Sequence, residues 1–180
     1  MLIDANKSAL LVVDVQEKLM PAMAEPDRVV ENCAVLMKAA ERLNIPVVVS
    51  EQYPKGLGNT VPPLAALAPP GSVLPKLHFS CAADPTIVAV LSAYEREQVL
   101  VVGVESHVCV LQTALDLKAA GTRCIVVADA TSSRAAASKD VALARLREAG
   151  VEIATTEMVL FEWLRQAGTP EFKELSRLIK

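Results

Sequence analysis

The sequence predicts a single α/β domain built on a six-stranded parallel sheet of order 3-2-1-4-5-6, doubly wound in the Rossmann-like manner with helices on both faces. Three observations carry that prediction. The residues are 52% hydrophobic but only 3% aromatic, so the interior must be built from Val, Ala and Leu, as in strands covered on both faces. Apolar strand-like runs alternate with helix-period patterns, which implies right-handed crossovers between parallel strands. A length of 180 residues is enough for one sizeable core and short for two, so residues 1–180 are read as one unit.

Strands are expected at 8–14, 46–50, 72–76, 98–104, 123–128 and 151–154, and helices at 27–43, 84–95, 107–120, 135–149, 157–167 and 170–179. Asp84-Pro85 is an N-cap followed by proline at the first helical position, and Gly121 and Gly150 follow helix ends where a left-handed residue is wanted. The segment 51–71, "EQYPKGLGNTVPPLAALAPPG", carries five of the eleven prolines. Flanked by core strands, it reads as an elaborated loop covering a substrate.

Composition excludes several classes. A net charge of −3 with few aromatics gives nucleic acid no electrostatic footprint. The longest apolar runs fall far below the roughly 20 residues that span a bilayer, and the first residues lack the pattern of a signal peptide. No membrane partner and a cytoplasmic location are therefore expected. Cys33, Cys81, Cys109 and Cys124 show no CxxC spacing and no nearby histidine pair, so no metal site and no cofactor are expected, and the thiols should be free. Neither GxGxxG nor GxxxxGK is present to hold a nucleotide.

In a doubly wound sheet, ligands bind beyond the carboxyl ends of the strands where strand order reverses. Strand one ends at Asp14, strand three delivers Lys76, and strand four runs through "VESHVCV" to Cys109. With strands one and four adjacent, Asp14 and Cys109 should face one another. Strand three lies two positions from strand one, roughly 10 Å away, so Lys76 would have to curl inward. A thiol is mostly protonated at neutral pH and attacks a carbonyl as thiolate; Asp14 can accept its proton if burial raises the carboxyl pKa, and Lys76 can balance the charge. Ser106 is the expected N-cap of the helix carrying Cys109, whose free N–H groups would point toward the sulfur. Cys33, Cys81 and Cys124 read as buried structural side chains. His107 reads as a cap or pocket lining, and "TSSR" at 131–134 with Asp129 as either a polar part of the site or a helix start.

At "LLVVDVQ", "KLHFSCA" and "GVESHVCV", followed by "LQTALDLKAAG" and "VVADATSSR", the sequence resembles the isochorismatase-like cysteine hydrolase superfamily over roughly residues 8 to 178. "SEQYPKGLGNTV" is most similar to its isochorismatase domain-containing branch. The resemblance implies an Asp14–Lys76–Cys109 triad, a cis peptide between Val104 and Glu105, and an oxyanion hole from the backbone N–H groups of Glu105 and Cys109. It also implies a homo-oligomer, a dimer or larger. Nicotinamidases of the superfamily carry an Asp-x-His motif and a further histidine after the second strand; here that region reads "SEQYPKG", so their metal site is absent.

The expectation is a metal-independent cysteine hydrolase that cleaves an amide-type or related acyl bond of a small molecule, with Gln52, Tyr53, Phe79 and His107 as pocket-wall candidates by position. Two alternatives stand beside it: a silent binding or redox-sensing protein on the same fold, and a vinyl-ether hydrolase that needs no thiol nucleophile.

Overall fold

The computed structural model describes residues 1–179. Six strands, β1 (Ser8–Val13), β2 (Val47–Gln52), β3 (Val73–Lys76), β4 (Gln98–Val104), β5 (Arg123–Ser132) and β6 (Glu152–Ala154), form one sheet in the order β3-β2-β1-β4-β5-β6. Every adjacent pair is parallel. The helices are α1 (Pro26–Arg42), the short α2 (Pro54–Leu57) and α3 (Pro62–Ala65), α4 (Pro85–Ala93), α5 (Leu111–Ala119), α6 (Ala136–Glu148), α7 (Thr156–Leu164) and α8 (Pro170–Leu175). Among the described residues no helix is long and apolar enough to cross a membrane.

All six residues of β1 are buried, because the pleat sends alternate side chains into two separate cores. Leu10 and Val12 pack with Val29, Cys33 and Leu36 of α1 and Val159, Leu160 and Trp163 of α7. Leu11 and Val13 pack with Ile87 and Leu91 of α4, Leu117 of α5 and Leu146 of α6. Each such fully buried aliphatic side chain contributes about 1.5–3 kcal/mol. That double cover explains the near-continuous apolar runs, and it leaves the polar residues at strand ends as the ones with work other than packing. Asp84 caps α4 through the N–H groups of Thr86 and Ile87.

Three expectations fail at the carboxyl edge. β5 continues past 128 to Ser132 because its register against β4 shifts, so that Thr131 and Ser132 pair with Gly103 and Val104. "TSSR" is therefore no helix start; the N-cap of α6 is Ala135, which has no side-chain hydrogen bond to give. Ser106 is not a cap either. The segment read as a helix from 107 opens with a π turn, Ser106–Val110, preceded by Glu105, and the Ser106 hydroxyl instead meets the Thr131 hydroxyl.

Gly103 sets the distance between the two central strands. Its φ is +103°, and a Cβ there would come within 2.1 Å of the Val13 carbonyl oxygen. Only glycine allows that approach, one residue before Asp14 on β1 and just before Val104 and Glu105 on β4. The peptide between Val104 and Glu105 is cis.

Candidate active site

Asp14 leaves β1 in the left-handed region, with φ 53°, a conformation that Asp tolerates better than most residues. Its N–H donates to the Ser50 carbonyl at 3.1 Å, and its carboxylate is fully buried at the end of the sheet. A buried carboxylate needs partners, and both oxygens have one. Lys76 Nζ donates to Oδ2 at 2.8 Å, and Ser50 Oγ donates to Oδ1 at 2.7 Å. The Cys109 thiol lies near enough to the same carboxylate for each group to shift the other's pKa.

Lys76 does curl inward. In the β2–β3 register it lies beside Gln52, so its flexible chain needs to pass only one strand end to reach Asp14. The ammonium also donates to Gln52 Oε1 at 2.6 Å and to the carbonyls of His78 and Phe79, both at 3.2 Å. The turn following β3 thus folds its own carbonyls back over the lysine, and every N–H of the buried cation finds an acceptor.

Cys109 sits in the π turn with 7% of its surface exposed. Burial, then the charge of Asp14, push its thiol pKa well above the ordinary value, with Lys76 opposing. Burial likewise raises the Asp14 carboxyl, against the lowering effects of Lys76, Ser50 and Cys109. For Lys76, burial lowers the pKa, but Asp14, Cys81 and Cys109 together outweigh it and the net shift is upward. One cation and one carboxylate already balance; a thiolate would leave an uncompensated charge in a dry site. The resting sulfur is therefore a neutral thiol, and what it needs is a neighbour ready to take its proton at the moment of attack.

The three residues before Val108 are each held by one side chain from the end of β5 and the residues after it. Arg134 Nε donates to Glu105 Oε2 at 2.9 Å, the hydroxyls of Ser106 and Thr131 meet, and His107 Nδ1 lies 2.9 Å from Ser133 Oγ. Thr131, Ser133 and Arg134 of "TSSR" thus contact the segment that carries Cys109, while the Ser132 hydroxyl donates to the Ala24 carbonyl. Asp129 does not; its carboxylate accepts from the N–H and hydroxyl of Thr156 at the start of α7.

The four pocket-wall candidates separate. Gln52 is in the cluster, bridging Lys76 and the Leu77 carbonyl. Tyr53 and Phe79 stand 52% and 55% exposed in the segments that follow β2 and β3. His107, with Leu111, Ala137 and Val141, lines a groove of about 420 Å³ that Asp14, Lys76 and Cys109 do not line.

Buried side chains tie the segment 51–71 to the end of the sheet. Gln16, fully buried, donates to the carbonyls of Gln52 and Gly58 at 3.0 and 2.7 Å and accepts from the Gln52 N–H at 2.8 Å. Glu51 Oε1 accepts from the N–H and hydroxyl of Thr60. Sequence reasoning missed Gln16, Ser50, Glu51 and Cys81; the available signal was a polar residue inside or just after an otherwise apolar run.

The model of the isochorismatase domain matches residues 8–158. The chain is 41% identical over 174 residues to isochorismatase domain-containing protein 2 of Danio rerio, covering 96% of this chain and 86% of that protein. Among solved structures it resembles the MAR1 ribonuclease of Caenorhabditis elegans, with a TM-score of 0.93, 36% identity, and 99% and 92% of the two chains covered. It also resembles the YcaC gene product of Escherichia coli, an octameric hydrolase of unknown specificity, with a TM-score of 0.88, 27% identity, and 92% and 83% covered.

Proposed function

Because the chain belongs to the isochorismatase family, we propose that it is a metal-independent cysteine hydrolase that cleaves an amide-type or related acyl bond of a small molecule. One observation carries this: a buried carboxylate paired with an ammonium at 2.8 Å, with a cysteine thiol close enough to feel its charge, beyond the carboxyl ends of adjacent parallel strands.

Asp14 takes the Cys109 proton as the sulfur attacks the carbonyl carbon, so charge moves onto the substrate oxygen and no free thiolate accumulates. The backbone N–H groups of Glu105 and Cys109 receive that oxygen. Collapse of the tetrahedral intermediate breaks the bond to the leaving group, which departs with the proton from Asp14 as an amine. Water, deprotonated by Asp14, then attacks the thioester and releases the carboxylic acid and the thiol. Lys76 holds the carboxylate in place and balances its charge through both steps. Gln52, Tyr53, Phe79 and His107 border the substrate. We further propose a homo-oligomer, for which the octameric state named for the E. coli relative is a precedent, and a cytoplasmic setting, in which four free thiols persist.

The test is a hydrolysis screen of small amides, ureides, imides and esters with wild type, Cys109→Ala and Asp14→Asn, with and without a chelator. Turnover lost in Cys109→Ala and indifferent to chelation is expected. Undiminished hydrolysis by Cys109→Ala would remove the covalent step, and no turnover with any compound would leave the silent sensor. RNA enters the same screen because of the nematode relative's name. No cleavage is expected, since a net charge of −3 offers the phosphate backbone little attraction.

A further inference from the structure

A second thiol lies close to the cluster and the mechanism above gives it no task. Cys81, fully buried in the turn ahead of α4, donates through Sγ to Ser50 Oγ at 3.4 Å. Ser50, also fully buried, passes its own hydrogen to Asp14 Oδ1 at 2.7 Å. Because a hydroxyl has one hydrogen, the arrival of the Cys81 S–H at the oxygen directs that hydrogen toward the carboxylate. The Cys81 main chain is fixed in turn by Thr113 of α5, whose Oγ1 accepts its N–H at 2.8 Å. The helix that follows Cys109 therefore also braces the far end of this chain of donors.

We propose that Ser50 and Cys81 form a buried donor relay that keeps Asp14 oriented and ready to accept the thiol proton, with Ser50 as positioning residue and Cys81 setting the direction of its hydroxyl. The proposal rests on the assignment of Asp14 as base. The groups that face Asp14 are Lys76 from β3, Ser50 from β2, Cys109 from the π turn and Cys81 from the turn before α4. Ser50 gives a neutral hydrogen bond to the ionised carboxylate and so favours that form. Loss of the hydroxyl should make Asp14 hold its proton to higher pH.

The experiment is the pH profile of iodoacetamide alkylation at Cys109, followed peptide by peptide by mass spectrometry, in wild type, Asp14→Asn, Ser50→Ala, Ser50→Thr, Cys81→Ala and Cys81→Ser. Ser50→Ala should move the acidic limb upward by roughly half a unit to one unit, the size of one lost hydrogen bond. Ser50→Thr, which keeps the hydroxyl, should return it. Cys81→Ala should give a smaller upward shift, and Cys81→Ser, which keeps a donor, should not. A packing role alone would lower stability without moving the limb. If Asp14→Asn leaves the acidic limb in place, the base assignment itself fails. If Asp14→Asn abolishes the limb while Ser50→Ala and Cys81→Ala leave it at the wild-type pH, the relay alone is overturned. Should Ser50→Ala not fold, the contrast between Cys81→Ala and Cys81→Ser decides, and no difference between them overturns the relay.

Discussion

The two halves of the sheet hold their shares of the site in different ways. On the β1–β3 side, Asp14, Ser50 and Lys76 are buried and every contact among them lies in the dry interior. On the β4–β5 side, Cys109 retains some exposure, and the ion pair supporting its segment joins Glu105 to an Arg134 side chain that is 65% exposed. The first half fixes charge where solvent cannot screen it, and the second holds a neutral sulfur at the border, where a substrate must reach it. Removing a partner in the first half should cost folding as well as chemistry. Removing one in the second should mostly loosen the geometry of attack.

The largest effect expected is on turnover. Cys109→Ala should lower kcat/KM by roughly 10⁴-fold or more with stability little changed, and Asp14→Asn by roughly 10²–10⁴-fold with a loss of Tm besides, since it leaves the buried Lys76 without its counter-charge. A Cys109→Ala variant that also lost several degrees of Tm would blur the contrast between halves. Next is Lys76→Met, which strands a carboxylate in the interior and should cost about 3–5 kcal/mol in chemical denaturation. The double variant with Asp14→Asn should recover much of that loss, because neither charge is then left alone.

The pH dependence sharpens the same contrast. Burial raises Asp14 above the carboxyl value of an unfolded chain, with Lys76, Ser50 and Cys109 opposing. Between the two values the native state binds more protons, so this group's contribution to stability falls as pH rises through that window. Activity runs the other way: the base must be ionised, and the acidic limb of kcat/KM should lie above the ordinary carboxyl value of about 4. Lys76, despite the lowering effect of burial, is raised by Asp14, Cys81 and Cys109. Its stabilising contribution is full below the ordinary lysine value and is lost as pH rises through the folded one. Stability and rate profiles on one protein preparation would check both signs.

The smallest effects belong to the rim. Arg134→Ala should change stability by no more than about 1 kcal/mol, given the exposure of the pair, and should slow turnover only severalfold. Ser133→Ala should do the same through His107. A large loss of stability in either would show that the β4–β5 side is as deeply tied as the other.

The sheet, its order and the placing of Asp14 and Cys109 beyond the ends of adjacent strands were legible because buried parallel strands write themselves as apolar runs with polar residues at their carboxyl ends. Lys76 was harder, since strand spacing speaks of backbones and not of how far a lysine can bend. Ser106 and "TSSR" looked like helix signals because hydroxyl residues serve caps and cross-strand contacts equally well. The β5 register shift that chose between those roles depends on pairing with β4, 28 residues away for Gly103 and Thr131. Ser50 and Cys81 were invisible for a related reason: their part in the cluster consists of hydrogen bonds spanning 36 and 31 residues, which no local pattern encodes.

The contact between Gly103 and the Val13 carbonyl makes the seam at the centre of the molecule a gauge. A single methyl group inserted there would push β1 from β4, and the gap would open between proton acceptor and sulfur, since each hangs from one side of it. Under the proposed roles of Asp14 and Cys109, that clearance sets how closely base and nucleophile can stand, whatever the outer loops present to a substrate.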